Sequence, residues 1–356
     1  MGSLLNLISG GPYEPYVNHV VGSERSLFKS SYKRPVNFGM QKFRVDSLQS
    51  TQLKETEDTD FVFRIDKNVT DLLMDTHLIV TLPNIWSPIH ADKSDDNASN
   101  HLWRPFEFKW IDKIGANIVK EVRISIGNYD IQKFDGHYLQ NVVNREFSEE
   151  KKKQFYEMIG HIDDLNDPAK VNGGKYPSVS HKDINADPSA EGENPIDLEP
   201  SIRSRVLVIP LMGWYHFSAK QAIPLCCLKN TSNELTITVT IRKLQDWYVI
   251  KNVMKADEDR SIPFLSENRK HLSPNSTELR TNTMYQLHRF LVEPPKDEFW
   301  REVHGNADHT YPDFANDAVD GHYIKTQPHQ IANFDVHLMT TQVSLTDAER
   351  AAFVGE

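Results

Sequence analysis

Three glycines, Gly115, Gly127 and Gly136, stand among β-branched residues in IGANIVKEVRISIGNYDIQKFDG (114–136). Glycines that follow a strand can bring backbone amides onto a phosphate, so this stretch is the first place to look for a ligand. It does not meet the dinucleotide pattern. Gly115 and Gly136 lie too far from Gly127, and no helix starts at Gly127. Gly127-Asn128 instead has the make-up of a two-residue hairpin loop, with glycine supplying positive φ at the first position and asparagine tolerated at the second. That register predicts Ile126 opposite Tyr129 and Ile124 opposite Ile131. Gly136 then opens the helix that follows.

The other candidates for chemistry fall away in the same manner. VNGGKYPS (171–178) lacks the first glycine and the hydroxyl residue after lysine that a P-loop needs, and reads as a loop tip. HIDDLNDP (161–168) is rich in oxygen donors but has neither the glycine nor the closing glutamate of an EF-hand loop, and reads as a turn. Its paired acids, Asp163 and Asp164, have nothing to fix a glycosidase geometry. The 15 histidines are scattered, with no His-x-His pair to make a cupin-type metal site. The only cysteines, Cys226 and Cys227, sit in the apolar run AIPLCCL, where buried and inert thiols are expected. No catalytic, cofactor-binding or metal-ligating residue is expected, and the chain is not read as an enzyme.

The elements that would position any such residue are short strands. FVFRI (61–65) and HLIVTLP (77–83) come first. NIVKEVRISI (117–126) puts Ile118, Val122, Ile124 and Ile126 on one face and Glu121, Arg123 and Ser125 on the other. RSRVLVIPLMGWYHF (203–217) reads as a strand-pair region. ELTITVTIRKL (234–244) alternates Leu235, Ile237, Val239 and Ile241 with three threonines, a density of β-branched residues that favours sheet. Helices are expected only over 134–147, with Tyr138, Leu139, Val142 and Val143 on one stripe, and over 148–160, from an N-cap at Ser148 to Gly160. Residues 161–200 are polar and rich in Pro, Gly, Asn and Asp, a long surface loop.

Composition limits the partners. With 40 Lys+Arg against 50 Asp+Glu the formal charge is −10, a poor match for coating nucleic acid. The Lys151–Lys153 run follows two glutamates and reads as a solvated helix face. Two adjacent cysteines make neither a disulfide framework nor zinc-ligand spacing, which points to a reducing compartment. The N-terminus lacks the basic region of a signal peptide, and no apolar run reaches the roughly 20 residues of a membrane helix.

Four blocks, in order, resemble the double jelly-roll major capsid proteins of nucleocytoplasmic large DNA viruses. They are GSERSLFKSSYKRPVNFGM (22–40), residues 111–160 with the glycine stretch and its helices, VLVIPLMGWYHFSAKQAIPLCCLKNTSNELTITVTIR (206–242), and VHLMTTQVSLTDAERAAFV (336–354). The third departs from the family in Met212-Gly213-Trp214, where Phe-Trp is usual. The resemblance implies an all-β fold, a viral jelly-roll β-sandwich with short helices in its loops. It also implies a structural subunit that trimerises into pseudo-hexagonal capsomers and tiles an icosahedral shell. Partners would be a homotrimer, neighbouring capsomers, minor capsid proteins and an internal viral membrane, without direct nucleic-acid contact. The location would be the virion, after assembly in the host cytoplasm.

On that resemblance residues 1–30 form an N-terminal arm and 31–250 the first jelly roll, with loop 161–200 inserted. Residues 251–332 form an extended inter-domain region and 333–356 the start of a second, incomplete roll. Tyr13, Tyr16 and Phe28 are candidate interface residues, since an aromatic arm is poorly suited to water. Gly127 and Asn128 are assigned a structural role in the hairpin. Two alternatives remain open: a minor capsid or penton paralogue, and a carbohydrate-binding jelly roll that stacks sugars on Trp214, Tyr215 and Trp247.

Overall fold

The computed structural model describes residues 37–49, 52–87, 89–92, 102–174, 176–177, 199–251, 271–273, 287–291 and 334–355. The chain divides between Phe38 and Gly39, and almost all described residues belong to the second unit.

Eight strands carry the fold: β1 (Phe38–Val45), β2 (Thr59–Ile65), β3 (Leu72–Leu82), β4 (Val119–Ile126), β5 (Tyr129–Phe134), β6 (Arg205–Pro210), β7 (Leu235–Ile241) and β8 (Val336–Leu345). One sheet runs β1-β8-β3-β6, with the short strand Ile223–Pro224 continuing beside the start of β3. The other runs β2-β7-β4-β5. The first strand therefore pairs with the eighth, the second with the seventh, the third with the sixth and the fourth with the fifth. That is a long antiparallel hairpin rolled into two facing sheets, the jelly roll.

Period-two patterning decides which faces meet. Leu235, Ile237, Val239 and Ile241 of β7 are fully buried, and the threonines between them are half-buried on the outer side. Each such apolar side chain contributes about 1.5–3 kcal/mol on burial. Phe61, Phe63 and Ile65 of β2, Leu78, Val80 and Leu82 of β3, Val122 and Ile124 of β4, Leu207 and Ile209 of β6, and Leu338 of β8 join one continuous core.

Two helices close the β4–β5 end. In α1 (Gly136–Glu146) Leu139, Val142 and Val143 are buried as expected, and Asp135 caps its start by accepting from Tyr138 N–H at 2.8 Å. In α2 (Glu149–Met158) Ser148 occupies the N-cap position without a side-chain cap bond. The helix ends at Gly160, whose φ is +81°. Gly136 is required by close approach: a Cβ there would lie 1.8 Å from the Ala116 carbonyl oxygen.

Four expectations are corrected. Residues 203–217 hold one strand, β6, followed by a 3-10 turn at Trp214–His216, because Pro210 ends the ladder and the next residues turn over the sandwich end. Residues 161–200 begin with two single helical turns, Asp163–Asn166 and Pro168–Val171, before the part outside the described residues. The hairpin register shifts between Ile124 and Ser125, so Ile124 faces Gln132, and Ile131 bulges out, 51% exposed. Ile126 does face Tyr129.

The last correction concerns residues 333–356, expected to open a second roll. They instead supply β8, which lies between β1 and β3 at the centre of a sheet of this roll, paired with β3 from Val336↔Val80 to Val343↔Leu72. The eight strands of the roll therefore run from Phe38 to Leu345, past the expected end at 250. A short helix, α3 (Asp347–Val354), follows β8.

Candidate interaction surface

The outer faces of the two sheets differ in chemistry. On β2-β7-β4-β5 the cross-strand rows are Arg64–Thr236–Ser125–Asp130, Val62–Thr238–Arg123–Lys133 and Asp60–Thr240–Glu121. They are laced together: Glu121 takes Lys133 at 2.8 Å and Arg123 at 2.9 Å, Thr240 donates to Asp60 at 2.6 Å, and Arg64 pairs with Glu234. The Lys133 and Arg123 bonds hold the Glu121 carboxyl below its usual range. A face of this kind is built for water.

On β1-β8-β3-β6 the outward rows are His337–Ile79–Val208 and Met339–His77–Pro210, with Thr81 opposite Val206. Ile79 and His337 lie outside the continuous core yet are only 9% and 7% exposed, while Met40 and Val206 at the flanks are more than half exposed. Charge is sparse on it: Asp75 and Lys42 act on His77, and Arg44 donates to both carboxylate oxygens of Asp335 at 2.8 and 3.2 Å. This face has the composition of a contact surface.

At one end of that sheet lies a buried ionic joint. Asp71, immediately before β3, has a side chain that is 1% exposed. It accepts from Arg350 Nε at 2.8 Å and Nη2 at 3.1 Å, from Lys229 Nζ at 3.0 Å and from Leu345 N–H at 2.8 Å. Burial alone would raise its pKa, but Arg350, the Leu345 amide and Lys229 outweigh burial and hold the carboxyl far below the usual range. Arg350 is the arginine of the Thr-Asp-x-Glu-Arg segment, and its partner 279 positions away is invisible to pattern reading.

At the β5–β6 end, the 3-10 turn Trp214–His216 bridges the sheets. Gln132 Oε1 on β5 accepts from Trp214 N–H at 3.1 Å, and Tyr215 Oη bonds Thr76 Oγ1 on β3 at 2.7 Å. The bulge at Ile131 is what brings Gln132 to this position. Gly213 fits because a Cβ there would meet Tyr215 at 2.8 Å and Ile124 at 3.1 Å.

Of the residues singled out in the sequence, Tyr13, Tyr16 and Phe28 lie outside the described residues. Gly127 has φ +59° and opens the hairpin loop as expected, with its N–H bonded to the Glu234 carbonyl at 2.9 Å. Cys226 is buried, but Cys227 is exposed, with Sγ 3.4 Å from the Phe353 carbonyl. Tyr215 and Trp247 are core residues at 1% and 0% exposure, which removes two of the three rings proposed to stack on sugars. Among the described residues no group of three or more His, Cys, Asp or Glu is placed to hold a metal ion.

A family model described as "Major capsid protein N-terminus" matches residues 26–274. The major capsid protein of Phaeocystis pouchetii virus is 22% identical over 249 residues, covering 69% of this chain and 42% of the relative. That of Rana tigrina ranavirus is 25% identical over 169 residues, covering 48% of this chain and 31% of the relative. The chain thus spans less than half the length of these curated relatives. Among solved structures, the Faustovirus major capsid protein aligns with 93% of this chain and 58% of its own at 10% identity and a TM-score of 0.48.

Proposed function

The chain belongs to the major capsid protein family of large DNA viruses, and from that premise we propose that it is a non-catalytic shell subunit whose described roll is the N-terminal one of a tandem pair. The observation that carries this reading is the family match over residues 26–274, which spans seven of the eight strands of the roll. The subunit assembles as a homotrimer, and the trimers tile a virion shell, with minor capsid proteins and an internal membrane as further neighbours. Assembly in the host cytoplasm belongs to the same proposal.

The contrast between the two sheet faces supports a particular orientation. The less charged face of β1-β8-β3-β6 turns toward neighbouring subunits, and the ion-laced face of β2-β7-β4-β5 turns toward solvent. A ring of three needs heterologous contacts, so each subunit sets this face against a different surface of its neighbour. Tyr13, Tyr16 and Phe28 are proposed as additional contact residues of the arm.

Light scattering on the purified chain tests the proposal. The expected mass is three subunits or a larger assembly. Val206→Glu and Met40→Glu on the less charged face are expected to shift it toward monomer, whereas Thr238→Glu on the other face leaves it unchanged. A clean monomer that binds a glycan array would overturn the capsid reading.

A further inference from the structure

The turn that bridges the two sheets carries a second, titratable fastening. His216, its last residue, packs edge-on against His77 of β3, with ring centroids 5.9 Å apart and planes at 69°. Phe217 also meets His216 edge-on, with centroids 6.0 Å apart and planes at 88°. The His216 Nδ1 atom is enclosed and has no hydrogen-bond partner among the described residues, and the same holds for Asp75 Oδ1. Asp75 Oδ1 lies 3.6 Å from His77 Nδ1, just beyond bonding distance.

We propose that the His77–His216 contact is an acid-sensitive clasp, closed while both rings are neutral and opened when both take up protons, which releases the Trp214–His216 turn from β3 and loosens that end of the sandwich. The charge bookkeeping is asymmetric. A first proton on His77 gains Asp75 as an acceptor on the same strand. A second proton on His216 would face an imidazolium, with its Nδ1–H enclosed and unpaired. Among the described residues nothing else near the pair offsets this. β8 presents Met339 opposite His77, β6 presents Pro210, and β1 contributes Lys42, whose charge opposes protonation of His77. The neighbouring 3-10 turn carries only the exposed Lys220.

The direction follows from linkage. Burial lowers the pKa of both rings; Lys42 lowers that of His77 further and His77 that of His216, while Asp75 opposes in each case. The open state therefore binds more protons than the closed one. The clasp is fully closed above the free-histidine pKa of about 6.5 and weakens as pH falls below it, by up to about tenfold in the opening equilibrium per pH unit for each ring.

Hydrogen exchange read by mass spectrometry at pH 7.5 and 5.0, corrected for intrinsic rates, tests it on the full chain. Peptides covering 213–218 are expected to lose at least about tenfold in protection at the lower pH, while β7 keeps its own. His216→Phe, which retains an aromatic packing partner but cannot titrate, is expected to cut the pH dependence of the turn's protection to the part that His77 alone gives, and His216→Gln to do the same from a weaker baseline. The clasp is overturned if wild-type protection at 213–218 does not change with pH. It is equally overturned if the loss persists undiminished in both variants, or if β7 opens in parallel.

Discussion

Asp71 and Arg350 offer the sharpest quantitative test of how the end of β8 is held to the roll. None of the residues of α3 is buried, so the helix is tied down chiefly through Arg350. Replacing Arg350 by Met removes two charge-assisted bonds to a carboxylate that is 1% exposed. Stripping a buried charge of its partner costs about 3–5 kcal/mol. Two features lower that figure here: Lys229 and the Leu345 amide remain on Asp71, and Arg350 is 39% exposed, so solvent already screens part of the pair. We expect Asp71→Asn to cost about 2–3 kcal/mol, because it leaves two cations facing a neutral amide, and Arg350→Met to cost less than that. If the two groups act as one joint, the double variant will fall short of the sum by about 1.5–2 kcal/mol. Urea unfolding of the four proteins with a common m-value gives this coupling directly. A coupling below about 0.5 kcal/mol, the range of an exposed surface pair, would refute the reasoning.

Acid titration of the same joint has a definite sign: the folded pKa of Asp71 lies below its unfolded value of about 3.9, so its contribution is present above that pH and is lost as pH falls beneath it. Asp71→Asn should therefore remove part of the stability change below about pH 4 in thermal melts. Gly136→Ala places a methyl group on the Ala116 carbonyl oxygen and should cost at least about 3 kcal/mol or prevent folding, seen as a lost or strongly lowered melting transition. Gly127→Ala keeps the hairpin but strains a φ of +59°, at a cost of about 1–2 kcal/mol measurable in urea. Truncation after residue 333 deprives β1 of its neighbour and β3 of its longest pairing, so the product should fail to give a cooperative melt; a native-like melt would place β8 outside the cooperative unit.

Much of the sandwich was legible because most of its strands obey one rule. β2 and β7 alternate cleanly, and their inward residues in the sequence are those in the core. β4 shows where the rule bends. Val119 and Val122 are both buried, because the register shifts where β7 changes partner from Glu121 to Val119. The hairpin was legible from Gly127-Asn128 alone, since positive φ is a local property. Its exact pairing was not, since the bulge at Ile131 answers a non-local need: Gln132 must reach the amide of Trp214, 82 positions away. The ionic joint and the two histidines were silent for the same reason. Asp71 and Arg350, or His77 and His216, become a unit only once β8 and the turn after β6 are laid against β3.

β8 is the instructive failure. Its sequence, VHLMTTQVSL, has a polar middle, and such a segment does not read as the centre of a sheet. The structure shows why it can lie there. Thr340 and Gln342 are buried but bonded to one another, and Gln342 also accepts from Thr70, so the polar atoms are satisfied inside the roll. Such a network is specific in a way an all-apolar strand is not, because a slip of one residue would leave several buried groups unpaired. β8 is therefore well suited to be the strand that closes the roll. It is the last of the eight strands in sequence, inserts between β1 and β3, and its polar residues admit one register while the Asp71–Arg350 joint locks the end of it.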